Sequence, residues 1–300
     1  MKRILIATDG SNTAEEAARF LAQLPLGERL RVDVVSVLQE TKSFHRDAPE
    51  SWIRESFEAQ SEALTRSFHR IKACFDERDV EFEYHLCSGH AGKEVVALGE
   101  ANETDLVVVG AKGHSGLGRM LLGSTSDYIA RHAASSVLVV RPSAPRSVER
   151  MRIAIAVDGE QPSRDAVAEF NQIHWREGTT VDLITALRTF IGPFGRVEPD
   201  AQHLSQATSH LEHAKASLAR ECETNIIQGE HIAESIVQAI QQRCTDLVFL
   251  GEHDRSAYDR FLMGSVSTFV LRHASCSVWI SRTANAAPTL AHTTEMARVN

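Results

Sequence analysis

Leu106-Val107-Val108-Val109-Gly110-Ala111-Lys112-Gly113-His114-Ser115-Gly116-Leu117-Gly118-Arg119-Met120-Leu121-Leu122-Gly123-Ser124-Thr125-Ser126-Asp127 decides how this chain folds. Its first four residues are apolar and mostly β-branched, the pattern of a strand buried on both faces of a parallel sheet. From Ser124 onward, hydroxyl and acidic residues open a helix. A glycine-rich loop therefore joins a strand end to a helix start. Glycines let backbone N–H groups approach a ligand closely, and a helix N-terminus carries partial positive charge, so the arrangement suits an oxyanion. Lys112 and Arg119 add formal positive charge. Glycines would equally permit a long plain connection, and the loop by itself does not separate the two readings.

Working outward, apolar runs alternate with helical patterns along the whole chain, which predicts parallel sheets with helices on both faces. In the first half, strands are expected near 3–8, 32–38, 81–86, 105–110 and 137–141, and helices near 13–24, 50–78, 91–102 and 124–132. Thr13-Ala14-Glu15-Glu16 reads as a capping box that starts the first helix. The second half repeats the order, with strands near 152–157, 181–187, 224–227, 246–250 and 277–281 and helices near 163–173, 201–221, 232–243 and 265–273.

The repetition extends to residues. Arg3-Ile4-Leu5-Ile6-Ala7-Thr8-Asp9-Gly10 returns as Arg152-Ile153-Ala154-Ile155-Ala156-Val157-Asp158-Gly159, and Gly123-Ser124-Thr125-Ser126 returns as Gly264-Ser265-Val266-Ser267. An offset of 140 to 150 residues is far too long for a solenoid unit and marks domain duplication. The expected division is a domain over 1–141, a linker over 142–150 opening on Pro142-Ser143-Ala144-Pro145, a second domain over 151–282, and a mobile tail over 283–300. The final strands of the two halves, Val137-Leu138-Val139-Val140 and Val278-Trp279-Ile280, are apolar edges that need cover, so the halves are expected to pack as an intramolecular pseudo-dimer, with a homodimer of the whole chain conceivable on top.

A net charge of −8 argues against a broad nucleic-acid surface. No segment approaches the roughly 18 uninterrupted apolar residues that span a membrane. Met1-Lys2-Arg3 runs straight into a strand without a leader pattern, and the five cysteines form no C-x-x-C pair, so a cytoplasmic protein with reduced thiols is expected.

Gly110, Gly113, Gly123 and Ser124 fill the Gly, two residues, Gly, nine residues, Gly-Ser spacing. That spacing resembles the ATP-binding signature of the universal stress protein family, and Ile4-Leu5-Ile6-Ala7-Thr8-Asp9 looks like the family's first strand. The resemblance covers nearly the whole chain. It implies two tandem α/β domains of Rossmann-like, adenine-nucleotide alpha-hydrolase type, and a stress-response or regulatory protein that binds ATP, with magnesium, in its first domain. Asp9 would lie near the nucleoside, Val37 would contact adenine, and Gly110, Gly113, Gly123, Ser124 and Thr125 would hold the phosphates. Two other classes stay open: a slow ATPase or nucleotidyl-transfer enzyme of the same sheet type, and an interaction scaffold independent of nucleotide. No convincing acid–base pair is legible, and His114 is the loop's one histidine.

On the residues themselves, Asp9 sits at the carboxyl end of a strand, where open α/β sheets bind ligands and where a carboxylate accepts from ribose or adenine. Ser124 is expected both to cap its helix and to offer a hydroxyl to phosphate. The second half departs from the pattern: Asp254 stands at the position of Gly113, Glu252 at that of Ala111 and Glu160 at that of Ser11. At ~4 Å and an effective dielectric near 20, one like-charge repulsion is about 4 kcal/mol, half of a micromolar binding energy of about −8 kcal/mol. Nucleotide is therefore expected in the first half alone. His203, His210 and His213 share one expected helix and are read as a solvated face in preference to a metal site.

Overall fold

The computed structural model describes residues 2–27, 29–38, 50–112, 122–142, 150–192, 195–252 and 263–282. The first half contributes β1 (Lys2–Ala7), α1 (Asn12–Gln23), β2 (Leu30–Leu38), α2 (Glu50–Ala73), β3 (Val80–Ser88), α3 (Ala91–Ala101), β4 (Leu106–Gly110), α4 (Ser124–His132) and β5 (Ser136–Val140). The second contributes β6 (Arg152–Ala156), α5 (Gln161–Asn171), β7 (Thr180–Arg188), the hairpin β8 (Phe190–Gly192) and β9 (Gly195–Val197), α6 (Ala201–Ser217), β10 (Glu223–Gly229), α7 (Ile232–Gln242), β11 (Leu247–Gly251), α8 (Ser265–His273) and β12 (Ser277–Ser281).

Ten strands form one sheet in the order β10-β7-β6-β11-β12-β5-β4-β1-β2-β3. Within each half every pairing in this sheet is parallel, as expected of doubly wound α/β units. Its single antiparallel pairing lies between the halves, where Val137, Leu138 and Val139 of β5 face Ile280, Trp279 and Val278 of β12. Alternate residues of each strand feed two apolar layers. Ile4 and Ile6 face one layer with Ala17, Leu21, Ile71 and Phe75. Leu5 faces the other with Val95, Val107, Ile129 and Val137. Both layers draw on residues of both halves, so the core is continuous across the β5–β12 pairing.

Four details differ from expectation. α1 starts one residue before Thr13, because Ser11 caps it by accepting from Ala14 N–H at 3.3 Å. α2 stops at Ala73 and gives way to turns, and α6 stops at Ser217. The β8–β9 hairpin is additional to the expected strands; its Gly195 takes φ +115°, a left-handed conformation that favours glycine.

Candidate functional site

In each half the strand order reverses direction between the first and fourth strands, β1 and β4 or β6 and β11. Open α/β sheets bind ligands outside the carboxyl ends of the strands at such a switch point. Asp9 follows β1 there and is exposed. Its Oδ1 accepts the Ser11 N–H at 3.0 Å, across a turn in which Gly10 takes φ +81°. Val37, near the end of the adjacent β2, is half-buried and packs against the second apolar layer.

The loop leaving β4 is stitched to its surroundings. Ala111 N–H donates to Val140 O at 2.7 Å, and Thr13 Oγ1 donates to Lys112 O. A Cβ on Gly110 would lie 2.8 Å from Thr13 O, so the glycine is required by the start of α1 packed on it. Packing within the fold is thus reason enough for a glycine at 110. Where the loop returns, Gly123 N–H donates to Ala111 O at 2.7 Å, and Ser126 Oγ donates to Gly110 O at 2.6 Å.

Gly123, not Ser124, is the N-cap of α4, and no side chain caps it. The expectation of a capping role for Ser124 is thus overturned: it occupies the first helical position, where its side chain points outward, and the buried hydroxyl of this turn is Ser126. Ser124 and Thr125 are exposed, and backbone N–H groups of a first helical turn have no intrahelical acceptor. Lys112 Nζ is shielded from solvent and has no hydrogen-bond partner among the described residues. Gly113, His114 and Arg119 lie outside the described residues.

The second half keeps the frame and changes the contents. Gly159 takes φ +82° after Asp158, as Gly10 does after Asp9. A Cβ on Gly251 would collide with Pro162 O, repeating the Gly110 contact with the neighbouring helix. Glu252, only 8% exposed, directs Oε1 to Gly264 N–H at 2.8 Å. Asp254 lies outside the described residues.

The α6 histidines have separate partners. The Asp200 carboxylate accepts both the backbone N–H of His203, at 2.8 Å, and its ring nitrogen, at 2.7 Å. These hydrogen bonds hold Asp200 below the usual carboxylate range. His213 Nδ1 lies 2.7 Å from Ser209 O. His210 is not a solvated face residue: its ring covers Gly159 so closely that a Cβ there would meet it at 2.5 Å.

A different group, Asp33, Glu83 and His85, brings its ligand atoms within 4.8 Å of one another on β2 and β3. Sequence reasoning missed it, although Asp33 in an apolar strand and the alternating Glu83-Tyr84-His85 were the available signal. Arg31 already supplies positive charge there, reaching Glu83 at 2.6 Å and Asp33 at 3.4 Å, while Asn102 donates to Asp33 at 2.9 Å. None of the five cysteines is in a disulfide. Burial pushes Cys276 up to about 12 and raises Cys74, Cys87 and Cys222, the opposite of what a nucleophilic thiolate needs.

Among the described residues no helix is long and apolar enough to cross a membrane. The family model described as "Universal stress protein family" matches residues 1–141 and again 149–282. A universal stress protein of Methanocaldococcus jannaschii is 30% identical over 140 residues, 47% of this chain and 82% of that one. Another, of Mycolicibacterium smegmatis, is 28% identical over 200 residues, 63% of this chain and 67% of that one. The crystal structure of a universal stress protein from Archaeoglobus fulgidus superposes with a TM-score of 0.69 at 18% identity, covering 93% of this chain and 98% of that one.

Proposed function

The chain belongs to the universal stress protein family, and on that premise we propose that its first half binds one adenine nucleotide, ATP with magnesium, and works as a cytoplasmic stress-response regulator. The observation that carries this reading is the Lys112 ammonium, shielded from solvent and unpartnered among the described residues, beside a loop that ends on the open first turn of α4. A shielded cation without a partner is costly, and an oxyanion at the helix N-terminus would satisfy both groups. In this reading Ser124, Thr125, Lys112 and the Gly113 backbone hold the phosphates. Asp9 accepts from the ribose or the adenine amino group, and Val37 supplies an apolar wall to the base. Magnesium, when bound, neutralises phosphate charge.

No described side chain at this crevice is placed as a general base, so binding is the proposed activity and hydrolysis is expected to be slow or absent. Titration of nucleotide-free protein with magnesium and ATP should give one site per chain. Lys112→Ala should weaken binding about tenfold or more, the worth of a charge-assisted contact, and Gly113→Asp, which copies the residue at Asp254, should abolish it. Two equivalent sites, or full affinity in both variants, would show that the phosphate site is elsewhere.

A further inference from the structure

In the second half a carboxylate of the protein itself lies at the N-terminus of the helix after β11. Gly264 and Gly123 occupy the same position, the N-cap of the helix that follows the glycine loop. In the first half the Gly123 N–H is satisfied by a backbone oxygen, Ala111 O, at 2.7 Å. In the second half the Gly264 N–H is satisfied by a carboxylate oxygen, Glu252 Oε1, at 2.8 Å. Glu252 is more than nine-tenths buried, yet its Oε2 has no hydrogen-bond partner among the described residues.

A buried carboxylate with one oxygen unpartnered among the described residues is an expensive thing to place in a core. It is tolerated here because it lies at the positive end of α8, whose first N–H groups lack intrahelical acceptors. α8 brings no acidic residue of its own to its first turn, whereas α4 has Asp127 there. Among the described residues Glu252 is therefore the anion at the α8 N-terminus, and it sits directly after β11, where the loop begins.

We infer that Glu252 is a built-in oxyanion: its carboxylate occupies the phosphate position of the second half, holding that site closed without nucleotide. The inference rests on the reading of the first half, in that α4 receives a phosphate where α8 receives Glu252. It goes beyond charge repulsion. Repulsion alone would leave the site empty, whereas a side chain in the site makes the anion part of the fold and makes it replaceable.

Replaceability is the test. Glu252→Ala removes the carboxylate and leaves space at an intact helix terminus, whose first-turn N–H groups lose their anion even where Gly264 N–H turns to the residue-252 carbonyl, as Gly123 N–H does to Ala111 O. Thermal unfolding of the nucleotide-free full chain should shift down by several degrees in chloride. Acetate or inorganic phosphate, at matched ionic strength, should restore much of that loss, and more than either anion raises the unsubstituted protein. Glu252→Gln fills the space and keeps an acceptor, so it should stay folded and gain nothing from the anions beyond the unsubstituted protein. Should Glu252→Ala not fold in chloride, refolding yield becomes the readout, and recovery in acetate is expected. A Glu252→Ala chain as stable as the original, or one that responds to neither anion, overturns the inference. Failure of the unsubstituted chain to bind ATP would instead sink the first-half reading, and the rescue measurement does not depend on it.

Discussion

Gly110 and Gly123 bracket the same loop and are glycine for different reasons. A side chain at 110 would strike the Thr13 carbonyl carbon and oxygen at 2.9 and 2.8 Å, backbone atoms that cannot swing away. At 123 the nearest atom is Ala111 O at 3.4 Å, an ordinary contact, and φ is −70°. Gly110→Ala should therefore cost about 2 kcal/mol of stability, the scale of an overpacked core site. Gly123→Ala should cost little more than the loss of a tolerable N-cap, a few tenths of a kcal/mol to about 1. Urea unfolding of the two variants checks the contrast; equal losses would contradict it. The spacing of these glycines was legible because it is a sequence pattern. The cause at 110 was not, because Thr13 is distant in sequence and only the docking of α1 on β4 brings it there. Glu252 shows the same limit: its identity forecast repulsion, while its contact with Gly264 across the loop required coordinates.

At the scale of elements, periodicity and capping residues placed the strands of the large sheet and the described helices within a few residues of their observed positions, because buried parallel strands and amphipathic helices have strong local signatures. Errors fell where local signals compete. Ser11 and Thr13 are both plausible caps, and the tertiary bond from Thr13 to Lys112 O leaves Ser11 to cap. The hairpin hid because three-residue strands carry too short a pattern, although Gly192-Pro193-Phe194-Gly195 was a turn signal. β2 and β7 are equivalent strands with an aspartate at the same register, and the two should respond oppositely to neutralisation. Asp33, 2% exposed, serves Arg31 and Asn102. Asp33→Ala takes the acceptor from Asn102 and leaves Arg31 to Glu83 alone, and should cost about 2 kcal/mol. Asp182 is pushed above the usual carboxylate range, first by burial and then by Glu223, and the Arg243 guanidinium beside it is 3.9 Å away. Asp182→Asn should leave stability at pH 7 unchanged or slightly raised. Denaturant melts of both proteins decide it; a loss at Asp182 as large as at Asp33 would refute the assignment.

The whole molecule is held at one seam, where β5 and β12 pair and each half closes a helix of the other. Arg141, 4% exposed just past β5, donates to Leu271 O at 2.6 Å at the end of α8. Arg282, just past β12, donates to Ala130 O at 2.5 Å and Ala133 O at 3.0 Å at the end of α4. Guanidinium groups at helix C-termini satisfy orphan carbonyls and favour the dipole. The exchange is reciprocal, and the backbone follows it: Arg141 N–H donates to Ser277 Oγ and Arg282 N–H to Ser136 Oγ. Glu169 of α5 breaks the symmetry. Its Oε2 accepts from Ser136 Oγ at 2.9 Å and from Ser281 Oγ, one hydroxyl from each half. Burial raises Glu169 above its ordinary 4.5, and the serine hydroxyls and Lys2 only partly oppose the rise. A carboxyl raised on folding binds its proton more tightly in the native state. Its contribution to stability is therefore full below the unfolded value, falls as pH climbs to the folded value, and stays lost above it. Glu169→Gln keeps an acceptor for the serines and removes the charge. At pH 7 it should stabilise the chain by roughly 1 kcal/mol, the scale on which a single buried polar group acts. From the ordinary 4.5 up to neutral pH the unsubstituted protein should lose relative to the variant, and the two should converge at the acid end. Parallel denaturant titrations across that range test the sign; a variant that is less stable at neutral pH, or a gap that widens toward acid, would mean that the charged form is the one the seam prefers.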